Sequence, residues 1–249
     1  MPSLFIAPGL HICQLDGLNQ AIVAHLSQRD ANIRPHFIKP PYHADNQAQE
    51  GFTVEAYQQK IQQAVHAHAG AEPPLVIANS IGGWAAFLAA PTFPTGSTLL
   101  LLNPAFNVVQ QLGQVLAQTR QQSLAQFLAD ACQTPAVLNY HSGPRLTPCS
   151  LVREGCRDDI IPSLQYVADQ LKAQNNCAVT TLLPTHDLFT DFQLAESLTT
   201  RAGGVVIEDI QRCLAHDYAP TPFGQYHLAL TLIDQALAVK HPMRQTPNN

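Results

Sequence analysis

Short apolar runs without a polar interruption constrain this fold more than any other feature. Leu75-Val76-Ile77-Ala78 and Ser97–Leu102, with its core Leu99-Leu100-Leu101-Leu102, are of this kind. A strand that reads apolar at every position is buried on both faces, which happens when helices cover both sides of a parallel sheet. Around them the chain alternates further short apolar runs with longer stretches of helical period, the pattern of an α/β protein. Leu4–Ala7, Ile33–Ile38, Cys149–Arg153, Ala178–Leu183 and Val205–Asp209 are predicted strands. Leu18–Ser27, Thr53–Ala69 (Thr53 as N-cap), Ile81–Ala90, Leu164–Ala173, Phe192–Ala202 and Tyr226–Val239 are predicted helices. The reading is one α/β domain over residues 1–240, a mostly parallel sheet with helices on both faces, and a tail from 241. Residues 105–131 are glutamine-rich and helix-periodic, and 105–147 as a whole is a candidate helical lid.

Composition removes several function classes. The chain has 249 residues, long enough to bury a core without disulfide or metal. Only 12% of residues are charged, the net charge is −5, and the Lys+Arg total of 13 is spread thinly. No basic stripe exists to track phosphates, which argues against nucleic-acid binding. No apolar run is long enough to span a bilayer. Met1–Pro8 lacks the basic start and apolar stretch of a secretory signal, so a cytoplasmic protein is expected. Six scattered cysteines with no C-x-x-C pair read as free thiols. His66-Ala67-His68 puts two rings on a helix about 200° apart, a poor metal pair. No metal site or cofactor is expected.

The stretch Ala78-Asn79-Ser80-Ile81-Gly82-Gly83-Trp84 carries the chemistry. A buried strand runs into a serine and then into a helix of small residues, the context of a G-x-S-x-G nucleophile elbow with Ala78 in place of the first glycine. Such a turn exposes the serine at a helix N-terminus, where the N–H of Ile81 can face an oxyanion. A second N–H is expected from the Pro8-Gly9-Leu10-His11 loop, with Leu10 as its donor. The competing reading of Ser80 is a plain helix N-cap. Trp84 reads as core.

Phe5–Leu10, Lys39-Pro40-Pro41-Tyr42, the Ser80 elbow and Leu102-Asn103-Pro104-Ala105 occur in the order found in small α/β-hydrolase-fold esterases. Over roughly residues 1–200 the chain resembles the compact YqiA-type bacterial group, which is similar to the retinoblastoma-binding serine hydrolases. The resemblance implies a serine hydrolase with a Ser-His-Asp triad, acting on a small or medium acyl ester or thioester. An acyltransferase of the same fold and a non-catalytic binding module are the alternatives.

Two acid–base sets follow the serine in chain order. Gly155-Cys156-Arg157-Asp158-Asp159-Ile160-Ile161-Pro162 resembles an acid loop, pointing to Asp158 with Asp159 as competitor, and His186 follows the next strand. One unit further on, Asp187 would be the acid and His216 the base. If every strand pairs in chain order, Asp158 stands on the second strand beyond the nucleophile strand, which favours Ser80–His186–Asp158. Ser80–His216–Asp158 and Ser80–His216–Asp187 remain open.

Overall fold

A computed structural model of the chain describes residues 3–9, 15, 17–41, 52–109, 113, 117, 121–133, 136–140, 143–147, 149–187, 189–214 and 226–239, with the backbone alone for the two segments between 136 and 147. Six strands form one sheet in the order β2-β1-β3-β4-β7-β8. They are β1 (Ser3–Ala7), β2 (Arg34–Phe37), β3 (Leu75–Asn79), β4 (Ser97–Pro104), β7 (Cys177–Pro184) and β8 (Val205–Asp209). Every neighbouring pair is parallel. β5 (Ala136–Tyr140) and β6 (Gly143–Thr147) form a separate antiparallel pair between β4 and β7. Among the described residues, the helices bounded at both ends are α1 (Gly17–Arg29), α2 (Val54–His68), α3 (Ser80–Ala89), α4 (Leu124–Ala131), α5 (Cys149–Gly155), α6 (Ile160–Gln174), α7 (Phe192–Arg201) and α8 (Tyr226–Ala238), with a short 3-10 turn at Ala90–Thr92.

The uninterrupted apolar strands serve two cores at once. Alternate side chains point to opposite faces of a sheet. Phe5, Ala7, Val76, Ala78, Leu99, Leu101, Val179 and Leu183 pack on one side with residues of α2, α3, α6 and α7. Leu4, Ile6, Ile77, Leu100, Leu102 and Leu182 pack on the other with Ile22 and Leu26 of α1 and Ile233 and Ala236 of α8. Tyr57, Ile61 and Val65 form the buried stripe of α2 at i, i+4, i+8. Thr53 caps that helix, its Oγ1 accepting from the Ala56 N–H at 3.0 Å. Trp84 is core, 1% exposed, on a helix buried along nearly its whole length. The described cysteines, Cys132, Cys149, Cys156, Cys177 and Cys213, are free. Burial pushes the Cys177 thiol up to about 12.

Two expectations need correction. Cys149–Arg153 is not a strand: it lies in α5, with Cys149, Leu151 and Val152 buried. Period alone cannot separate a five-residue apolar run in a strand from one in a buried helix. Tertiary contacts decide it here. The Ser150 hydroxyl donates to the Phe52 carbonyl at 2.7 Å, and the Glu154 carboxylate accepts the first N–H groups of α2, from Val54 and from Glu55. The 105–147 segment is also not wholly helical. Its described part includes the β5–β6 hairpin, and α4 starts afresh at Ser123, whose capping box with Gln126 follows a turn at Gln121.

Candidate active site

The chain goes from β1 to β2 on one side of β1 and then crosses to β3 on the other. Such a switch point opens a crevice between the carboxyl ends of the two strands, where open α/β sheets bind ligands. The carboxyl ends of β1 and β3 meet there, with Ala7 paired to Ala78. Pro8 and Gly9 follow one strand and Ser80 follows the other.

Ser80 begins α3 directly after the strand, with φ at +53°. A side-chain-bearing residue in that left-handed region costs about 1–2 kcal/mol, and such strain collects at functional sites. The preceding residue, Asn79, is extended at φ −120°, ψ 153° and occupies the N-cap position without a side-chain cap. Ser80 is thus the first residue of the helix on a tight strand-to-helix turn, and not its cap.

The small residues around it are demanded by backbone approach. A Cβ on Gly82 would stand 2.3 Å from the Ala7 carbonyl oxygen and 2.4 Å from that of Pro8. One on Gly83 would stand 2.9 Å from the Pro104 Cβ. The start of α3 is therefore wedged between the ends of β1 and β4, and the Ser80 carbonyl accepts from the Ala105 N–H at 3.0 Å. Gly9 runs against the serine itself: its Cβ position lies 2.9 Å from the Ser80 Cβ and 3.4 Å from Oγ. Tyr57 holds this turn from below. Its buried hydroxyl lies 3.0 Å from the Pro8 carbonyl and 3.1 Å from that of Ile38, and burial pushes its pKa up. Ile81, whose N–H follows the serine, is in the first turn of α3. Leu10 lies outside the described residues.

Beyond the nucleophile strand the sheet continues with β4, β7 and β8. The second strand out is β7, which ends at Pro184 and is followed by Thr185-His186-Asp187. Asp187 is half-buried. Its Oδ2 accepts from the Asn103 Nδ2 at 2.9 Å and its Oδ1 from the Phe189 N–H at 2.7 Å. His186, one residue earlier, has an exposed side chain, and its carbonyl accepts from the Arg212 Nε at 2.9 Å. Asp158 lies between α5 and α6 and is exposed. The strand that was to carry it to the sheet's edge does not exist, so the geometric reason for preferring it over Asp187 is gone. Asp159 pairs with Arg157 at 2.6 Å, which lowers its pKa.

The last strand, β8, ends in Asp209, 1% exposed. Its carboxylate accepts from the Leu214 N–H at 2.7 Å and from the Cys213 thiol at 3.3 Å. Burial, then the Asp209 charge, pushes that thiol up to about 12. The Leu214 carbonyl in turn accepts from the Asn103 Nδ2 at 3.0 Å. His216, two residues further on, lies outside the described residues. Sequence reasoning missed Tyr57, had Asp209 only as one of several acids at strand ends, and took Asn103 only as part of a supporting motif. No local signal marks Tyr57, whose spacing on α2 reads as core.

No group of three or more His, Cys, Asp or Glu among the described residues is arranged to hold a metal ion. His36 and His68 stack on each other with ring centroids 4.9 Å apart, and His36 stacks on Phe5 at the same separation. No described helix is long and apolar enough to cross a membrane.

Solved structures are similar to this chain in fold over nearly its whole length. A monoacylglycerol lipase from Paleococcus ferrophilus matches with TM-score 0.61 and 14% identity, over 95% of this chain and 94% of its own. Alpha/beta hydrolase domain-containing protein 10 from mouse matches with TM-score 0.61 and 15% identity, over 95% and 89%. The chain has the α/β-hydrolase fold. Est1E from Butyrivibrio proteoclasticus, solved with ferulic acid bound, matches with TM-score 0.60 and 14% identity, over 96% and 90%. These likenesses establish the fold and do not single out the YqiA-type group. No family model and no curated protein sequence matches the chain.

Proposed function

We propose that this α/β-hydrolase is a serine hydrolase that cleaves carboxylic esters of small or medium acyl groups through an acyl-enzyme. Ser80 is the nucleophile, His216 the base and Asp187 the acid. The observation that carries the reading is Ser80, held at φ +53° on a strand-to-helix turn at the sheet's switch point, with Gly9 packed against its side chain.

The choice of acid and base follows the strand order. Asp187 leaves the second strand beyond the nucleophile strand, and the chain reaches His216 seven residues after the last strand ends at Asp209. This is the chain order Ser, Asp, His of the fold. It replaces the set built on Asp158 and His186, whose supporting strand is a helix. His216 takes the Ser80 proton as Oγ attacks the ester carbonyl. Asp187 fixes the imidazole tautomer and stabilises the imidazolium. The Ile81 N–H and the N–H after Gly9, that of Leu10, hold the developing oxyanion. The imidazolium returns its proton to the leaving alkoxide, and water attacking by the same route releases the acid.

A panel of p-nitrophenyl esters from acetate to octanoate tests the proposal. Wild type is expected to turn over the shorter members and Ser80→Ala to fall to the uncatalysed rate. Equal turnover by the two proteins would refute the serine mechanism.

A further inference from the structure

We propose that Asn103 is a positioning residue that clasps the acid loop to the neck of the base loop. The inference rests on the triad reading above and extends it to a residue outside the triad. Asn103 is the penultimate residue of β4, the strand between the nucleophile strand and the strand of Asp187. It is 2% exposed and has φ +47°. A left-handed backbone at a strand end is tolerated by glycine, asparagine and aspartate and little else.

The side chain explains why asparagine stands there. Its amide nitrogen has two hydrogens. One goes to the Asp187 Oδ2 at 2.9 Å, the other to the Leu214 carbonyl at 3.0 Å. Leu214 is gripped from both sides, since its N–H donates to the Asp209 carboxylate. Two loops that leave different strands are thus fixed against a third by one NH2 group. The Asp187 carboxylate is left oriented by Asn103 through one oxygen and by the Phe189 N–H through the other. A neutral donor suits this place. Glycine would keep the backbone and lose both bonds. Aspartate would keep backbone and shape, but its acid form has one proton for two acceptors and its ionised form repels Asp187.

The test compares Asn103→Gly and Asn103→Asp with wild type by kcat and KM for p-nitrophenyl acetate across pH, and by amide hydrogen exchange. Asn103→Gly is expected to lower kcat on the order of tenfold to a hundredfold, the scale of a misplaced catalytic group, with KM within about twofold. Its deficit should not vary with pH. Asn103→Asp should stand closest to wild type at low pH and fall away as its carboxyl ionises, because two carboxylates at one site cannot both be charged without cost. In both variants the Phe189 and Leu214 amides should exchange faster. Identical, pH-independent deficits in the two variants would overturn the clasp and leave Asn103 as a space-filling residue. Unchanged exchange at Phe189 and Leu214 would overturn it whatever the activity. A wild-type protein with no esterase activity would instead count against the triad reading, and the exchange result would still decide the clasp.

Discussion

Replacing Ser80 by glycine should give a more stable protein than replacing it by alanine, with the proposed activity abolished in both. The reference is Ser80→Ala, which removes the same hydroxyl but keeps a Cβ at φ +53°. The left-handed conformation costs an L-residue about 1–2 kcal/mol and glycine almost nothing. Glycine gives back part of that gain through the greater entropy of its unfolded chain, about 0.5–1 kcal/mol. The net advantage of Ser80→Gly over Ser80→Ala is therefore about 0.5–1 kcal/mol. With about 2.1 cal/mol/K per residue over 249 residues, the unfolding entropy is about 0.5 kcal/mol/K. Tm should then rise by about 1–2 °C. Matched thermal melts followed by circular dichroism, in one buffer and at one scan rate, resolve a shift of that size. A glycine variant that melts at or below the alanine variant would refute the claim that this turn stores strain.

Three further perturbations follow from the same structure. Gly82→Ala must move the start of α3 about 1 Å away from the Ala7 and Pro8 carbonyls to reach ordinary contact, and a displacement of that size at the elbow should lower kcat/KM about a hundredfold, read with p-nitrophenyl acetate. Tyr57→Phe removes the hydroxyl shared by the Pro8 and Ile38 carbonyls. It should cost about 1–2 kcal/mol in urea denaturation and slow acylation of Ser80. Glu154 has its pKa raised, first by burial and against the N–H groups of Val54 and Glu55 that lower it. The folded state therefore binds its proton more tightly than the unfolded state, and its contribution is present below the ordinary value of 4.5 and lost as pH rises above it. Stability measured by urea denaturation should accordingly fall less between pH 4 and neutrality in Glu154→Gln than in wild type.

The centre of the sheet was legible because the cores of β3 and β4 are apolar at successive positions. Val76, Ile77, Leu99 and Leu100 mark strands covered on both faces without any knowledge of their partners. The elbow was legible for a related reason. Small residues at Ala78, Gly82 and Gly83 beside a serine announce close backbone approach, and those contacts are with Ala7, Pro8 and Pro104. What failed was the stretch from 105 to 159. Ser123 and Gln126 form a capping box that is visible as S-x-x-Q, and reading it would have split the long helix. Cys149–Arg153 carries no such mark. Its helix is set by contacts from Ser150 to Phe52 and from Glu154 to the start of α2, about a hundred residues away in sequence. That one reassignment moves every later strand one place inward, and with it the acid from Asp158 to Asp187. Asn103 and Asp209 were visible as strand-end residues, but not their hydrogen bonds, which depend on which loops the sheet order brings together.

The central claim is that Ser80 is an activated nucleophile, and a fluorophosphonate probe tests it most directly. The probe is added to the intact protein, and the modified residue is located by peptide mass spectrometry. One equivalent on Ser80, lost in Ser80→Ala and slowed in Asp187→Asn and His216→Ala, is the expected result. Absence of modification at Ser80, under conditions that label a known serine hydrolase, would contradict the account.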